Sequence, residues 1–257
     1  MSKIVEIDSI QNSLLFSICT LVTDMSEYKS MVESCNSAGF SDENSEFIYI
    51  DNTKSNKYDG YSGVREFLNR AKGQYIIIVH QDVLFEFDTK DTLLKCIDEV
   101  TKKDDSWALL GNAGYSGLTK KAMRISDPYG KDVAIGSLPQ QVLSLDENFI
   151  VVRSSANLAI SNDINGFHFY GTDLCLLASM IGRSAYVIDF HVFHKSAGSC
   201  GSNFYEVKER FMQSYTKKKA ALFVRTPCTN MFLSASKILN RCMNFKLIFS
   251  IKKRLEF

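Results

Sequence analysis

Tyr75-Ile76-Ile77-Ile78-Val79-His80-Gln81-Asp82-Val83-Leu84-Phe85 runs five apolar residues into a polar triplet and out again into three apolar ones. The first five are rich in β-branched residues and follow Gly73, the pattern of a strand buried on both faces. His80, Gln81 and Asp82 do not belong in a core. They fit the C-terminal end of a central parallel strand, where open α/β sheets bind ligands.

Working outward from that strand, Leu14–Val22 (LLFSICTLV) reads as a buried strand ending near Thr23-Asp24. Tyr28, Met31, Val32 and Cys35 then recur at helical spacing, with Gly39 as a stop signal. Phe47–Ile50 is a short strand closed by Asp51-Asn52-Thr53, and Val64, Phe67, Leu68 and Ala71 share a helical face. The first third is therefore β-α-β-α-β, the sign of a parallel sheet covered by helices. Right-handed crossovers bring successive strand ends to one edge, so Asp51 and Asp82 are expected to share a crevice.

Beyond it, Asp91–Val100 reads as an amphipathic helix and Trp107–Gly111 as a fourth strand. Asn112–Gln141, with four glycines and two prolines, reads as a lid or binding loop. Val142–Leu145 and Phe149–Val152 flank Asp146-Glu147-Asn148 as an edge hairpin or strand pair. Asp173–Ile181 is a helix, Ala185–Phe190 a strand, and Ser196–Ser202 a small, flexible stretch. From Asn203 on, the chain reads as Lys-rich helices with a break at Pro227.

A net charge of +1 over 257 residues gives no general attraction to nucleic acid. The charge is uneven, however. Residues 206–257 carry 12 Lys and Arg against 3 Asp and Glu, leaving 18 against 26 in the remainder. Such a tail is expected either to meet an anionic surface, here as peripheral membrane contact, or to serve as an ordinary C-terminal helical cap or a dimer contact. Seven scattered cysteines without a C-x-x-C spacing point away from a disulfide framework and toward a reducing compartment. Glu6 and Asp8, with no long apolar run nearby, argue against a signal peptide. A cytoplasmic location, at the inner face of the membrane if the tail docks there, is the expectation.

Several residues carry candidate chemistry. Asp82 and His194 both follow apolar strands, and a carboxylate with an imidazole suits Mn²⁺ or Mg²⁺ when a diphosphate supplies the other oxygens. The plainer alternatives are a cap at Asp82 and a satisfied strand-end histidine at His194. His191, three residues before His194, should face the opposite side of an extended segment. Asp173 reads either as a helix cap or as a general base beside a pocket. Asp51 either closes a turn or contacts a base or ribose, Arg65 either meets phosphate or lies on a solvated face, and Asp146-Glu147 is either a hairpin tip or an acceptor contact. There is no Walker motif or G-x-G-x-x-G.

In order, "SICTLVTD", "FIYIDNT", "NRAKGQYIIIVHQDVLF", "YGTDLCLLASMIG" and "YVIDFHVFHKSAGS" resemble nucleotide-sugar glycosyltransferases of the GT-A fold, similar to the large inverting family 2 and to its bacterial "HQDV" subgroup. The family's D-x-D signature is His80-Gln81-Asp82 here, without the first Asp, and Thr172 precedes Asp173 where an acidic residue is common. The resemblance implies a GT-A, Rossmann-like, mixed and mainly parallel sheet over residues 1–205, with a basic helical extension over 206–257. It implies a divalent cation on Asp82 and His194, and donor contacts from Thr20, Asp51, Arg65, His80, Gln81 and Asp82. It also implies acceptor-side contacts from Asp146, Glu147 and His168, and Asp173 as the base. The implied partners are a nucleotide-diphosphate sugar and a glycan or lipid-linked acceptor. Two rivals stand beside this expectation: a nucleotidyltransferase, and a transferase-like domain that binds without turnover.

Overall fold

The computed structural model describes residues 14–196, 203–227, 229–245, 248–249 and 251–252. The expectations for the N-terminal stretch and for residues 197–202 lie outside these. Contacts divide the chain into two units, Met1–Val207 and Lys208–Phe257.

In the first unit the chain order is β1 (Leu14–Val22), α1 (Met25–Ser37), β2 (Ser45–Asp51), α2 (Gly60–Arg70), β3 (Gly73–Val79), β4 (Val83–Leu84) and α3 (Lys90–Lys103). There follow β5 (Trp107–Gly111), β6 (Ala113–Tyr115), β7 (Lys121–Asp127), β8 (Gly130–Ile135), β9 (Gln140–Val142), β10 (Ser144–Leu145) and β11 (Phe149–Arg153). A short 3₁₀ turn, then α4 (Tyr170–Met180), β12 (Ser184–Val187) and β13 (Val192–His194), completes the set. The strands form a seven-stranded sheet, ordered β2-β1-β3-β11-β5-β12-β9, and a second sheet, ordered β10-β6-β7-β13-β4, with β8 against β7. In the large sheet β11 and β9 oppose the other five strands, so it is mixed and mainly parallel.

The opening β-α-β-α-β reading matches β1 to β3. β1 pairs in parallel with β2 on one side and β3 on the other, and its Phe16, Ile18, Cys19 and Val22 are buried in the core. Helix α1 starts at Asp24, whose carboxylate accepts from the backbone N–H groups of Ser26 and Glu27, an N-cap that satisfies otherwise orphaned donors. Val83 and Phe85 matter for the site. Both are buried, and Phe85 packs its ring on Phe149 and Phe190 at 5.9 Å. The polar triplet is thus clamped between two apolar anchors, β3 before it and Val83–Phe85 after it.

Three sequence expectations need correction. Asn112–Gln141 is not a lid: it folds as β6, β7, β8 and β9, with its glycines and prolines mostly at the turns between short strands. Phe149–Val152 is not an edge strand. β11 lies between β3 and β5 at the centre of the large sheet, while β10 pairs with β6 in the other sheet. The third concerns the second unit, which is not wholly helical. It contains most of α5 (Phe204–Lys218), a hairpin of β14 (Leu222–Arg225) and β15 (Asn230–Leu233), and α6 (Lys237–Met243).

Candidate active site

A cavity of about 690 Å³ opens at the C-terminal ends of β1 and β3 and is walled on its other side by the second sheet. His80, Gln81, Asp82, Asp146, Glu147, His168, Tyr170 and His194 line it, together with Asn52 and Asn148. A crevice at strand C-termini is where this architecture is expected to take its ligand.

Sheet pairing explains why Asp82 meets His194. β4 runs antiparallel to β13 with Val83 opposite His194, and the Lys195 N–H donates to the Asp82 carbonyl at 3.0 Å. The His194 Nε2 consequently lies 3.4 Å from Asp82 Oδ1, and Ser196 Oγ is 3.1 Å from the same nitrogen. Burial alone would raise the Asp82 carboxyl, but hydrogen bonding and charge from His194, with Ser196 beside it, hold it far below the usual carboxylate range. Burial alone would lower His194, but Asp82 outweighs it and holds the imidazole above its ordinary value.

His80 completes the group. Its N–H donates to the Asn148 carbonyl at 3.0 Å, and its ring Nε2 is 3.0 Å from the Tyr170 hydroxyl. Burial pushes its pKa down, helped by the neighbouring His194, so it sits as neutral imidazole, the form that can ligate a metal. One donor atom each from His80, Asp82 and His194 lie within 4.8 Å of one another. Two imidazoles and one carboxylate fit a divalent transition metal, and imidazole suits Mg²⁺ less well. Tyr170 is placed to orient His80 in the way that outer partners orient metal ligands. His80 stands with the candidate ligands, where the sequence reading assigned it only to the donor. His80 and Asp82 lie in the turn between β3 and β4, closed by the Val83 N–H on the His80 carbonyl, so strand alternation does not pair them.

The opposite wall is built around Asp146-Glu147. The Asp146 N–H donates to the Ala113 carbonyl, and Asp146 Oδ1 accepts from the Asn148 backbone and side-chain amides. Glu147 Oε1 accepts from the Gly171 N–H at 3.3 Å. Gly171 permits this approach, because a Cβ there would lie 2.6 Å from the Leu145 carbonyl oxygen. Burial, reinforced by the Asp146 charge, pushes the Glu147 carboxyl up to about 8. Next to it, Phe169 starts α4 at φ 70, a left-handed conformation unusual for a bulky residue. His168 lines the cavity and packs edge-on against Phe204, and burial lowers its pKa.

Other predicted residues lie elsewhere. Asp173 is fully buried and does not line the cavity; its two carboxylate oxygens accept from the Ser161 N–H at 2.8 Å and the Ser161 Oγ–H at 2.6 Å. Helix α4 starts three residues before it, so Asp173 sits in the first turn and is not the cap. Thr20 is likewise fully buried in mid-β1, out of reach of a ligand. Arg65 turns to the Ser161 carbonyl at 3.1 Å and does not line the cavity. Asp51 is exposed at the end of β2, where Oδ1 accepts from the backbone and hydroxyl of Thr53. Gln81 lines the cavity, but its amide works as a staple. Oε1 accepts from the Thr23 and Asp24 N–H groups, and Nε2 donates to Thr23 Oγ1 and Glu27. Sequence reading missed Tyr170, an aromatic residue with no local pattern to mark it.

His191 faces away from this site, as alternation in an extended segment requires. It lines a second hollow of about 550 Å³ on the other face of β7, with its ring stacked on Phe87 at 3.9 Å and Nε2 2.9 Å from Ser126 Oγ.

The architecture is shared with solved glycosyltransferases. S. aureus TarS 1–349 in complex with UDP-GlcNAc superposes with a TM-score of 0.50 at 12% identity, over 79% of this chain and 67% of that one. GalNAc-T7 with UDP, GalNAc and Mn²⁺ also gives 0.50 at 12% identity, over 78% of this chain and 48% of the other, so this chain spans about half of its length. The fold is α/β and GT-A-like. No protein-family model matches the sequence. The chain is 36% identical over 216 residues, 82% of its own length and 87% of the relative's, to the Fuscovulum blasticum protein called "ATP synthase subunits region ORF 6", and it belongs to that protein's family. Among the described residues, no helix is long and apolar enough to cross a membrane.

Proposed function

We propose that the chain is a metal-dependent inverting glycosyltransferase. It would move a sugar from a nucleotide-diphosphate donor to a hydroxyl of a glycan or lipid-linked acceptor, in the synthesis of a bacterial surface polysaccharide or glycoconjugate. The observation that carries this reading is the His80, Asp82 and His194 cluster inside a cavity at the strand ends of a GT-A-like sheet. The presence of UDP-GlcNAc in TarS, and of UDP and Mn²⁺ in GalNAc-T7, supports the assignment of donor and ion.

In this reading His80, Asp82 and His194 hold the divalent ion, which when bound stabilises negative charge on the leaving diphosphate. Tyr170 and Ser196 hold the two imidazoles in orientation. Asn52 and the Gln81 staple form the donor-side wall, while Asp51, tied to Thr53 at the end of β2, is left out of it. The acceptor oxygen forms its bond to the anomeric carbon as the bond to the diphosphate oxygen breaks on the opposite face. The acceptor proton passes to a carboxylate. Glu147 takes that role here, because it faces the cavity and Asp173 does not. A carboxyl raised to about 8 is a better proton acceptor than an ordinary one once ionised. His168 flanks the acceptor side.

The test is release of nucleoside diphosphate from a nucleotide sugar, in the presence of Mn²⁺ and a hydroxyl acceptor, by wild type and Glu147→Gln. Release by the wild type and its loss in the variant is the expected result. Equal release by both would remove Glu147 from its role.

A further inference from the structure

In the C-terminal unit α6 is turned inside out. Asn240 and Asn244, one turn apart, face the strand beside them. Asn240 Oδ1 accepts from the Ser234 N–H at 2.7 Å and its amide donates to the Ser234 carbonyl at 2.8 Å. Asn244 does the same with the two backbone groups of Phe232, at 2.8 and 2.9 Å. The polar stripe of the helix is therefore the one docked on its own protein. Its apolar stripe is left to solvent: Ile238 is 75% exposed and Leu239 50%, and Phe245 just past the helix is 62% exposed. A packed amphipathic helix has the opposite arrangement. The hairpin repeats the feature. Leu222 and Leu233 are a cross-strand pair on one face of the ribbon, and both are exposed, while the neighbouring Phe223 and Phe232 rings pack together at 4.8 Å.

Exposed apolar groups of this density mark a surface that something covers. The charge of the unit says what. Residues 208–257 carry 12 Lys and Arg against two Glu, whereas the rest of the chain is acidic. Lys217, Lys219, Arg225, Lys237 and Arg241 are exposed beside these apolar residues in sequence. We propose that this unit docks on an anionic lipid bilayer, with Ile238, Leu239 and the Leu222–Leu233 pair entering the acyl boundary and the basic residues meeting the headgroups. The proposal is independent of the transferase reading, since it uses no residue of the cavity.

Co-sedimentation of the full chain with phosphatidylcholine vesicles, with and without phosphatidylglycerol, tests it. Binding is expected only to the anionic vesicles and should weaken as salt rises. An Ile238→Asp/Leu239→Asp variant should lose binding about tenfold or more, because two exposed apolar anchors are removed. A Lys217→Gln/Lys219→Gln variant, which leaves the apolar face intact, should weaken binding in a lipid-charge-dependent way. No binding to anionic vesicles at low salt, or equal binding by the Ile238→Asp/Leu239→Asp variant, would overturn the proposal. So would a dimer in light scattering that this variant abolishes while vesicles are ignored, since the cover would then be a second copy.

Discussion

The Asp82 carboxylate lies 3.4 Å from the His194 imidazole although 112 residues separate the two in sequence. One antiparallel pairing, Val83 against His194, brings them together. It is local to the site, and its disruption should be felt in ion binding before it is felt in the fold.

Asp82→Asn and His194→Ala should each abolish saturable Mn²⁺ binding in calorimetry at neutral pH, with the far-UV spectrum unchanged. Tyr170→Phe, which removes the hydroxyl that contacts the His80 ring and donates to the Glu147 carbonyl, should weaken Mn²⁺ by roughly 10–100-fold, the range for losing an outer partner of a metal ligand. With two imidazoles in the set, Mn²⁺ or Co²⁺ should bind more tightly than Mg²⁺.

Asp173 should behave as a structural carboxylate. Asp173→Ala leaves the Ser161 N–H and hydroxyl without their acceptor in a buried place, and should cost about 1.5–3 kcal/mol in urea unfolding. Turnover per folded molecule should be unchanged. Loss of turnover in a protein as stable as the wild type would return Asp173 to the chemistry.

Glu147 makes a prediction about pH. Its carboxyl is raised to about 8, so it is protonated at neutral pH and able to accept a proton only above that. The rate of transfer should climb with pH through an apparent pKa near 8, and Glu147→Gln should lower it by roughly 10²–10⁴-fold. A rate flat from pH 6 to 9 would contradict this.

Asp104 makes a prediction about acid. Burial would raise its carboxyl, but hydrogen bonds from Ser106, Ser184 and Tyr186 hold it down to about 2, tying the end of α3 to β12. A carboxyl lowered in the fold contributes stability that is complete above its ordinary value of 3.8 and is lost as pH falls toward about 2. The stability gap between wild type and Asp104→Asn should therefore be full at neutral pH and close between roughly pH 4 and 2. A constant gap would point to packing.

Much of this was legible in residue order. LLFSICTLV and YIIIV announce themselves as buried strands by length and branching, and a polar triplet following the latter marks an open strand end. The opposite faces of His191 and His194 follow from alternation alone. What stayed hidden depends on tertiary pairing. FIVVR reads the same at an edge or at the centre, and only its neighbours β3 and β5 make it central. β6, β9 and β10 have two or three residues each, too few for any period. Asp173 and Glu147 are both acids near the start of α4. Which one faces the cavity is decided by the Ser161 loop and by the close approach that Gly171 allows.

The most direct test of the central claim is a thermal-shift panel of UDP-, GDP-, CMP- and dTDP-sugars, with and without Mn²⁺, on the wild type and on Asp82→Asn. A ligand that binds the folded state raises its melting temperature by mass action. The account predicts an Mn²⁺-dependent rise with at least one nucleotide-diphosphate sugar, absent in Asp82→Asn. No rise with any donor in the presence of Mn²⁺, or an equal rise in the variant, would contradict it.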